Sequence, residues 1–517
     1  MRLVDMLDKG ASVSGGAPCL ECDGEVRTYA DVLALTARIA SALVVAGVRP
    51  GDKVAVLSAN DPTAFTCVFG ISRAGAVWCP VNPRNEAAEN RDLLELSECS
   101  VLVFQASFAP LVEAIRGDLP GLRTLVCLDA GAGEEVAGAT AWHDFLAAGE
   151  ELDEVVDRAA VDDVAMIVGT GGTTGRPKGV VLTGTNLETM TALTLMSYPW
   201  PAERPPTYLA LAPLTHAAGV LCFPVLCRGG QVVVMRSPDV GGFLDRVERH
   251  RVTHTFLPPT LVYMVLDHPS LDGRDLSSLE CFWYGAAPMS TSRLEEALTR
   301  IGPVMAQLFG QTEAPMMVST MAPADHFAAD GSVARERLGS AGRPSALTTV
   351  AIMADDGTLL GRGERGEIVV RGSLVMRGYH RDPDATAAAS AHGWHHTGDI
   401  GYLDDDGFLF IVDRAKDMVI TGGFNVYSTE VEQAVMAHPA VADCAAVGLP
   451  DEKWGERLTV VVQLRPGADL DAAELQQFVK ARIGSVKTPK QVEVWPDLPR
   501  SKVGKVLKTE IKAQLAG

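Results

Sequence analysis

The sequence predicts an α/β protein: a large N-terminal domain of doubly wound α/β layers that carries a small β-barrel-like unit, followed by a small α+β C-terminal domain. Three observations predict it. Short apolar runs alternate with amphipathic stretches as far as Leu308, the rhythm of strands joined through helices. Between residues 339 and 413 that rhythm gives way to short strands and Gly-rich turns. The 517 residues, 47% of them hydrophobic, exceed what one core accommodates and supply enough apolar side chains for more than one.

The elements follow in order. Thr28-Tyr-Ala-Asp31 reads as a capping box opening a helix with Leu33, Ala37, Ala40 and Val44 on one face, ended by Gly47 ahead of Pro50. A strand over 53–58 follows, Asp61-Pro62 caps a second helix closed by Gly75, and 76–79 is the next strand. Helix 87–97, strand 100–104, helix 107–116 and strand 124–128 continue the alternation. Residues 131–163, rich in Ala, Gly and acids, predict a surface connection. Beyond it, strands 164–168 and 180–182 flank a Gly/Thr loop, and Thr185-x-x-Glu188 predicts a helix start. Strands fall at 208–212, 231–235, 253–257 and 280–284, and Asp405-Asp-Gly407 predicts a hairpin turn.

A formal net charge of −20 disfavours nucleic-acid and anionic-membrane partners, which need a basic face. Asp5 and Asp8 interrupt what would be the apolar region of a signal peptide, and no apolar run reaches spanning length, so a cytoplasmic protein is expected. Ten scattered cysteines suit reduced, buried thiols. Cys19-x-x-Cys22 lacks a second pair, and His250 with His254 lacks the Glu of a zinc-protease motif, so neither predicts a metal site.

The chemistry centres on Val168-Gly-Thr-Gly-Gly-Thr-Thr-Gly-Arg-Pro-Lys-Gly179. Gly171, Gly172 and Gly175 let backbone N–H groups turn toward an anion, Thr170, Thr173 and Thr174 add hydroxyls, and Lys178 adds a positive charge. That set suits a polyphosphate. It is not a Walker A loop, since Pro177 precedes the lysine and a strand, not a helix, follows.

The loop resembles the phosphate loop of the adenylate-forming superfamily: acyl-CoA and aryl-CoA synthetases, the adenylation domains of peptide synthetases, and firefly luciferase. Gly169 stands where that family has an aromatic residue, and Gly171 where it has serine. Segments from Thr28 to Lys505 resemble the remaining family motifs in order. Gly285-Ala286-Ala287-Pro288 is similar to the adenine-binding segment. Phe309-Gly310-Gln-Thr312-Glu313 is similar to the motif whose threonine contacts the α-phosphate and whose glutamate binds Mg²⁺. Trp394-His-His-Thr-Gly-Asp399 is similar to the ribose-binding segment, with Arg414 assisting. Lys416 falls at the family's hinge, which implies domains over 1–415 and 416–517, the second mobile. Residues 422–432 resemble the loop after the hinge, except that Ser428 stands where proline is usual. In the last motif, Leu498 to Lys505, the resemblance makes Lys505 catalytic.

The resemblance implies an acid–thiol ligase using ATP, Mg²⁺ and coenzyme A: a carboxylate attacks the α-phosphate to give acyl-AMP and pyrophosphate, and a thiol then displaces AMP. His216 matches the position that faces the substrate carboxylate. Ala217, Ala218, Gly219, Tyr284, Gly310, Ala314 and Met316 are expected to line the acid pocket, whose small residues and pliant Met suit a sizeable apolar acid, fatty, aryl or polycyclic. The segment Leu214-Thr-His-Ala-Ala-Gly219 has no acid to pair with an α-ammonium. Three other readings follow from the same motifs. They are a stand-alone adenylating enzyme that hands acyl-AMP to a carrier-protein thiol or partner enzyme, a luciferase-like oxygenase, and a nucleotide-binding protein without turnover; retention of Thr312, Glu313, Asp399, Arg414 and Lys505 argues against the last.

Overall fold

A computed structural model describes residues 1–131, 134, 136–150, 152, 156–158, 160–170, 177–414, 417–421, 423–501 and 505–516. Two large sheets organise the N-terminal part. The first runs Gly378–Tyr379, Lys178–Thr183, Val164–Thr170, Val77–Val81, Lys53–Leu57, Cys99–Phe104, Thr124–Cys127, Thr140–Ala141, and its pairs are parallel from Val164–Thr170 to the far edge. The second runs Arg343–Pro344, Ala314–Met321, Met305–Gln311, Cys281–Gly285, His254–Leu257, Thr207–Ala210, Gln231–Val234, Pro18–Cys22, Glu25–Thr28. It is parallel from Met305–Gln311 to Pro18–Cys22.

Strand alternation then assigns the faces. Val54, Val56 and Val101 of the first sheet and Tyr208, Val232 and Trp283 of the second share one core with Tyr29, Phe69 and Leu193 from helices held between the sheets. Ala55, Leu57 and Leu102 face an outer core with helices Ala87–Leu96 and Ala109–Arg116. Leu209, Val233, Phe282 and Tyr284 face another with helices Val240–Arg249, Pro259–Leu266 and Thr291–Arg300. The doubly wound expectation is met as five layers, helix, sheet, helix, sheet, helix.

Local expectations differ in four places. The capping box Thr28/Asp31 opens helix Tyr29–Val45 and Ala40 is buried as expected, but the rest of the buried stripe is Val32, Thr36, Ile39 and Leu43, with Leu33 and Val44 only partly buried beside it. A helix packed between two sheets is apolar on several sides, so one stripe could not be told from its neighbour. Residues 131–163 include helix Trp142–Gly149, which buries Phe145 and Leu146 and approaches helix Tyr29–Val45 so closely that a Cβ on Gly149 would stand 2.5 Å from Ala42 N. The capping box of helix Gly184–Ser197 is Thr183/Asn186, not Thr185/Glu188; Thr185 bonds Asp162 and Glu188 pairs with the Met1 amino group. The small unit is a four-stranded antiparallel sheet, Thr349–Met353, Gly366–Arg371, His395–Leu403 and Leu409–Arg414, whose order is open rather than closed like a barrel. Its last hairpin turns at 404–408 with Gly407 at φ +83°, the left-handed geometry the Asp-Gly pair announced.

The C-terminal part is α+β, as expected. Strands Phe424–Val426, Val419–Thr421, Gly455–Leu464 and Val441–Asp451 form an antiparallel sheet that Gln491–Val494 joins in parallel. Helices Ser428–Met436 and Ala472–Ile483 close a core of Val431, Val435, Leu458, Val460, Leu475 and Val479; Ile511 of helix Lys508–Ala516 packs on the other face with Ala445, Val447 and Val461. It docks on the large part through Gln433, which donates to Met289 O at 2.9 Å and accepts from Thr291 N at 3.2 Å.

Candidate active site

The candidate residues gather where the parallel strands of both sheets end, the usual place for a ligand in an open α/β sheet. Asn60, just past strand Lys53–Leu57, joins the two sheets there. Its amide donates to Ala212 O at 3.1 Å and Met235 O at 3.0 Å, and its carbonyl oxygen accepts from Leu214 N at 2.9 Å. That fixes the segment leading to His216, whose Nδ1 meets Thr215 Oγ1 at 2.9 Å.

His216 is held neutral. Burial pushes its pKa down to about 4, helped by the positive charges of Lys505 and Arg84. Lys505 is exposed and belongs to the C-terminal part, so its charge acts on His216 from the other domain. Its segment is pinned on both sides: Lys505 N donates to Ser501 Oγ at 3.1 Å, and Arg500 pairs with Asp443 and, at 3.4 Å, with Thr260 of the large part.

Thr312 and Glu313 form the two-residue turn between strands Met305–Gln311 and Ala314–Met321, where Gln311 pairs with Ala314. The ladder slips at Gly310, and a Cβ there would stand 2.4 Å from Met316 N. Met316 is at φ +62° and Ala286 at φ +68°, left-handed conformations that cost non-glycine residues about 1–3 kcal/mol each. Two of the eight described non-glycine residues at positive φ thus fall at predicted ligand positions. Gly285 pairs with Leu308, whose carbonyl a Cβ would approach to 2.4 Å; Ala286 is exposed and Ala287 half-buried beyond it.

Glu313 Oε1 accepts from Tyr379 OH at 2.9 Å, and Lys178 Nζ stands 4.9 Å from the centre of the Tyr379 ring. Lys178 and Thr170 face each other at the two strand ends from which the glycine loop leaves. Gln311 ties its motif to the ribose-type motif: its amide donates to Thr397 O at 3.1 Å and its oxygen meets His395 Nε2 at 3.0 Å. Asp399 is buried, donates its backbone N–H to Thr397 Oγ1 at 3.1 Å and lies opposite Arg414 in the sheet. Phe309 is half-buried between the central core and the small sheet.

Two pocket expectations are corrected. Tyr284 lies in the outer core, on the opposite sheet face from Trp283, with its hydroxyl against His326 Nε2 at 3.0 Å. Ala217, Ala218, Ala314 and Met316 belong with the central core instead. Gly219 serves packing, since a Cβ would stand 1.9 Å from Leu214 O and push the His216 turn away. Gly171, Gly172, Thr173, Thr174, Gly175, the Arg414 side chain and Lys416 lie outside the described residues. Gly169 is accounted for: a Cβ there would stand 2.4 Å from Leu93 Cδ1, so Leu93 fills the space an aromatic would take.

The site also includes residues the sequence did not single out. Tyr379, Asn60, Arg84 and Gln311 each act through partners distant in the chain. Asn60 had a local signal in its place between a strand end and the Asp61-Pro62 cap, and Gln311 in its place inside the Phe309–Glu313 motif; Tyr379 and Arg84 had none.

The same architecture recurs among known proteins. The medium/long-chain-fatty-acid–CoA ligase FadD8 of Mycobacterium tuberculosis is 44% identical over 360 residues, 68% of this chain and 62% of that protein, so the match spans less than two thirds of that relative. The feruloyl-CoA synthase of an Amycolatopsis species is 36% identical over 97% of this chain and 96% of its own length. The amide bond synthetase McbA from Marinactinospora thermotolerans superposes with a TM-score of 0.89 at 30% identity, over 99% of both chains. Residues 7–380 match the family model for AMP-binding enzyme, and residues 430–505 that for AMP-binding enzyme C-terminal domain. With its strand-end motifs in order and its fold shared end to end, the chain belongs to the AMP-binding enzymes of the adenylate-forming superfamily.

Proposed function

We propose that this protein activates a carboxylic acid with ATP to an acyl-adenylate and transfers the acyl group to the thiol of coenzyme A. The observation that carries the reading is the gathering of Lys178, the Thr312–Glu313 turn and Asp399 at the strand ends, with Tyr379 tying Glu313 to Lys178. In the first step a carboxylate oxygen attacks the α-phosphorus, the bond to the bridging oxygen breaks, and pyrophosphate leaves. Two anions must meet. The Lys505 ammonium supplies the charge between them, and neutral His216 adds no competing charge at the carboxylate. Thr312 faces the α-phosphate, Lys178 with Thr170 and the glycine loop holds the β and γ groups, and Asp399 accepts from the ribose hydroxyls, with Arg414 beside it.

Magnesium, when bound with ATP, neutralises phosphate charge. A single oriented carboxylate suits an ion carried mainly by nucleotide phosphates, and Glu313, fixed through one oxygen by Tyr379, keeps its other oxygen for that purpose. In the second step the thiol sulfur, having lost its proton, attacks the acyl carbon and AMP departs. Lys416 serves as the hinge between domains 1–415 and 416–517, so that Lys505 attends the first step and withdraws for the second. The acid is sizeable and apolar, without an α-amino group, and sits against Ala217, Ala218, Gly310, Ala314 and Met316. A chain of this acidity that draws on ATP and coenzyme A works in the cytoplasm; no helix among its described residues is long and apolar enough to cross a membrane.

The test is a panel of fatty, aryl and polycyclic acids assayed for pyrophosphate release and, separately, for AMP release that needs coenzyme A. Pyrophosphate without thioester would move the acceptor to a carrier-protein thiol or an amine. No pyrophosphate with any acid would overturn the reading.

A further inference from the structure

We propose that Ser428 is a positioning residue for the adenylation step: it completes a buried relay from Asp413 on the large part to Lys508 beside Lys505, and so holds the C-terminal part in the pose that brings Lys505 to His216. The proposal rests on the two-step reading above.

Ser428 opens helix Ser428–Met436 and is fully buried. Its N–H donates to Asp413 Oδ2, and its hydroxyl donates to Asp413 Oδ1 at 3.0 Å. The same hydroxyl oxygen accepts from Lys508 Nζ. Lys508 pairs in turn with Glu432 at 2.8 Å, and Glu432 Oε1 also accepts from Ala446 N at 2.9 Å. Ser428 therefore uses its backbone donor, its hydroxyl proton and a lone pair at once, a set only serine or threonine brings to this position. The proline usual here in the resembling family would supply neither the N–H nor the hydroxyl.

The two ends of the relay lie on opposite sides of the domain boundary. Asp413 is anchored in the small sheet by strand Leu409–Arg414, paired with the strand of Asp399. Glu432 and Lys508 belong to the C-terminal part, and Lys508 begins its last helix just beyond the Arg500–Val506 bridge that brackets Lys505. Burial alone would lower the Lys508 pKa, but Glu432 and Asp413 raise it above the ordinary lysine range, so the ammonium stays charged. A rotation about residue 416 carries Ser428, Glu432 and Lys508 away from Asp413 together. The Asp413 carboxylate then gives up two donors, and the pose with the relay closed is favoured by that difference.

The experiment compares Ser428→Pro, Ser428→Ala, Lys508→Met and the conservative Ser428→Thr in the two half-reactions run separately, pyrophosphate exchange and thioester formation from supplied acyl-AMP. A second readout, independent of chemistry, is the distance between labels at the exposed positions Glu203 and Lys480 with ATP and magnesium present. Pro, Ala and Met are expected to lower exchange about tenfold, to leave thioester formation unchanged or faster, and to broaden the distance distribution. Thr is expected to restore the wild-type values. An unchanged distribution, or an equal fall in both half-reactions, would overturn the relay. If the unaltered protein activates no acid, the functional reading falls, while the label distances still decide whether Ser428 sets the pose.

Discussion

Tyr379 donates its hydroxyl to Glu313 Oε1 at 2.9 Å while its ring lies 4.9 Å from the Lys178 ammonium, so one side chain touches two of the residues expected to manage phosphate charge. The hydrogen bond fixes the carboxylate, and burial together with the Glu313 charge keeps the phenol protonated as its donor. Its backbone is fixed too, because the short strand Gly378–Tyr379 pairs with Lys178–Thr183.

Tyr379→Phe is expected to leave the fold intact and to raise the magnesium concentration for half-maximal pyrophosphate exchange about tenfold. A hydrogen bond to a charged group contributes about 1.5–3 kcal/mol, less where it is partly exposed, and tenfold corresponds to about 1.4 kcal/mol. An unchanged magnesium dependence would detach Glu313 from the cation.

Lys505→Ala is expected to slow adenylation about 10²-fold, the loss of one preorganised charge of about 3 kcal/mol, and to spare thioester formation from supplied acyl-AMP. Both rates should be measured on the same preparation. Equal damage to the two steps would reduce Lys505 to part of a basic tail.

The motif order was legible because each motif sits at a strand end, where apolar runs stop and Gly, Thr or acids begin. The loop-and-strand frame around Thr170 and Lys178 came through for that reason. Tyr379 was not legible: its partners lie at 313 and 178, and no local pattern announces a contact made by tertiary packing. Tyr284 shows a parity limit. Alternation says that Trp283 and Tyr284 face opposite sides of their strand, but with helices on both sheet faces it does not say which side is the pocket. Gly219 was read as pocket space because glycine is small, whereas its neighbour's carbonyl needs that smallness.

Gly169 and Leu93 make a pair test of packing. Gly169→Tyr is expected to destabilise by about 1–3 kcal/mol through overpacking against Leu93, which is itself buried. Leu93→Ala alone should cost about 2–5 kcal/mol by leaving a cavity. Combined, the two should cost clearly less than their sum in urea unfolding, because the ring enters the vacated space. Simple additivity would mean that the residue-169 side chain points elsewhere.

The acid limb of stability should carry the signature of His216. Its folded pKa of about 4 lies below the ordinary histidine value of about 6.5, owing first to burial and then to Lys505 and Arg84. As pH falls through 6.5 the unfolded chain takes up a proton that the folded protein refuses, so stability drops until the folded pKa is passed, by at most about 1.4 kcal/mol per pH unit. Above 6.5 the group contributes no slope. His326, also about 4, and His254, about 3, act in the same direction, so the fold should weaken steeply between pH 6 and 4. His216→Asn should flatten that slope by close to one proton. Lys505→Ala should raise the His216 pKa without reaching 6.5, because burial is the larger cause, and the imidazole proton shifts followed by NMR would read the change directly. A His216 titration that ignores residue 505 would mean that the Lys505 charge does not reach His216 in solution, and Lys505 would lose its assigned place in the adenylating pose.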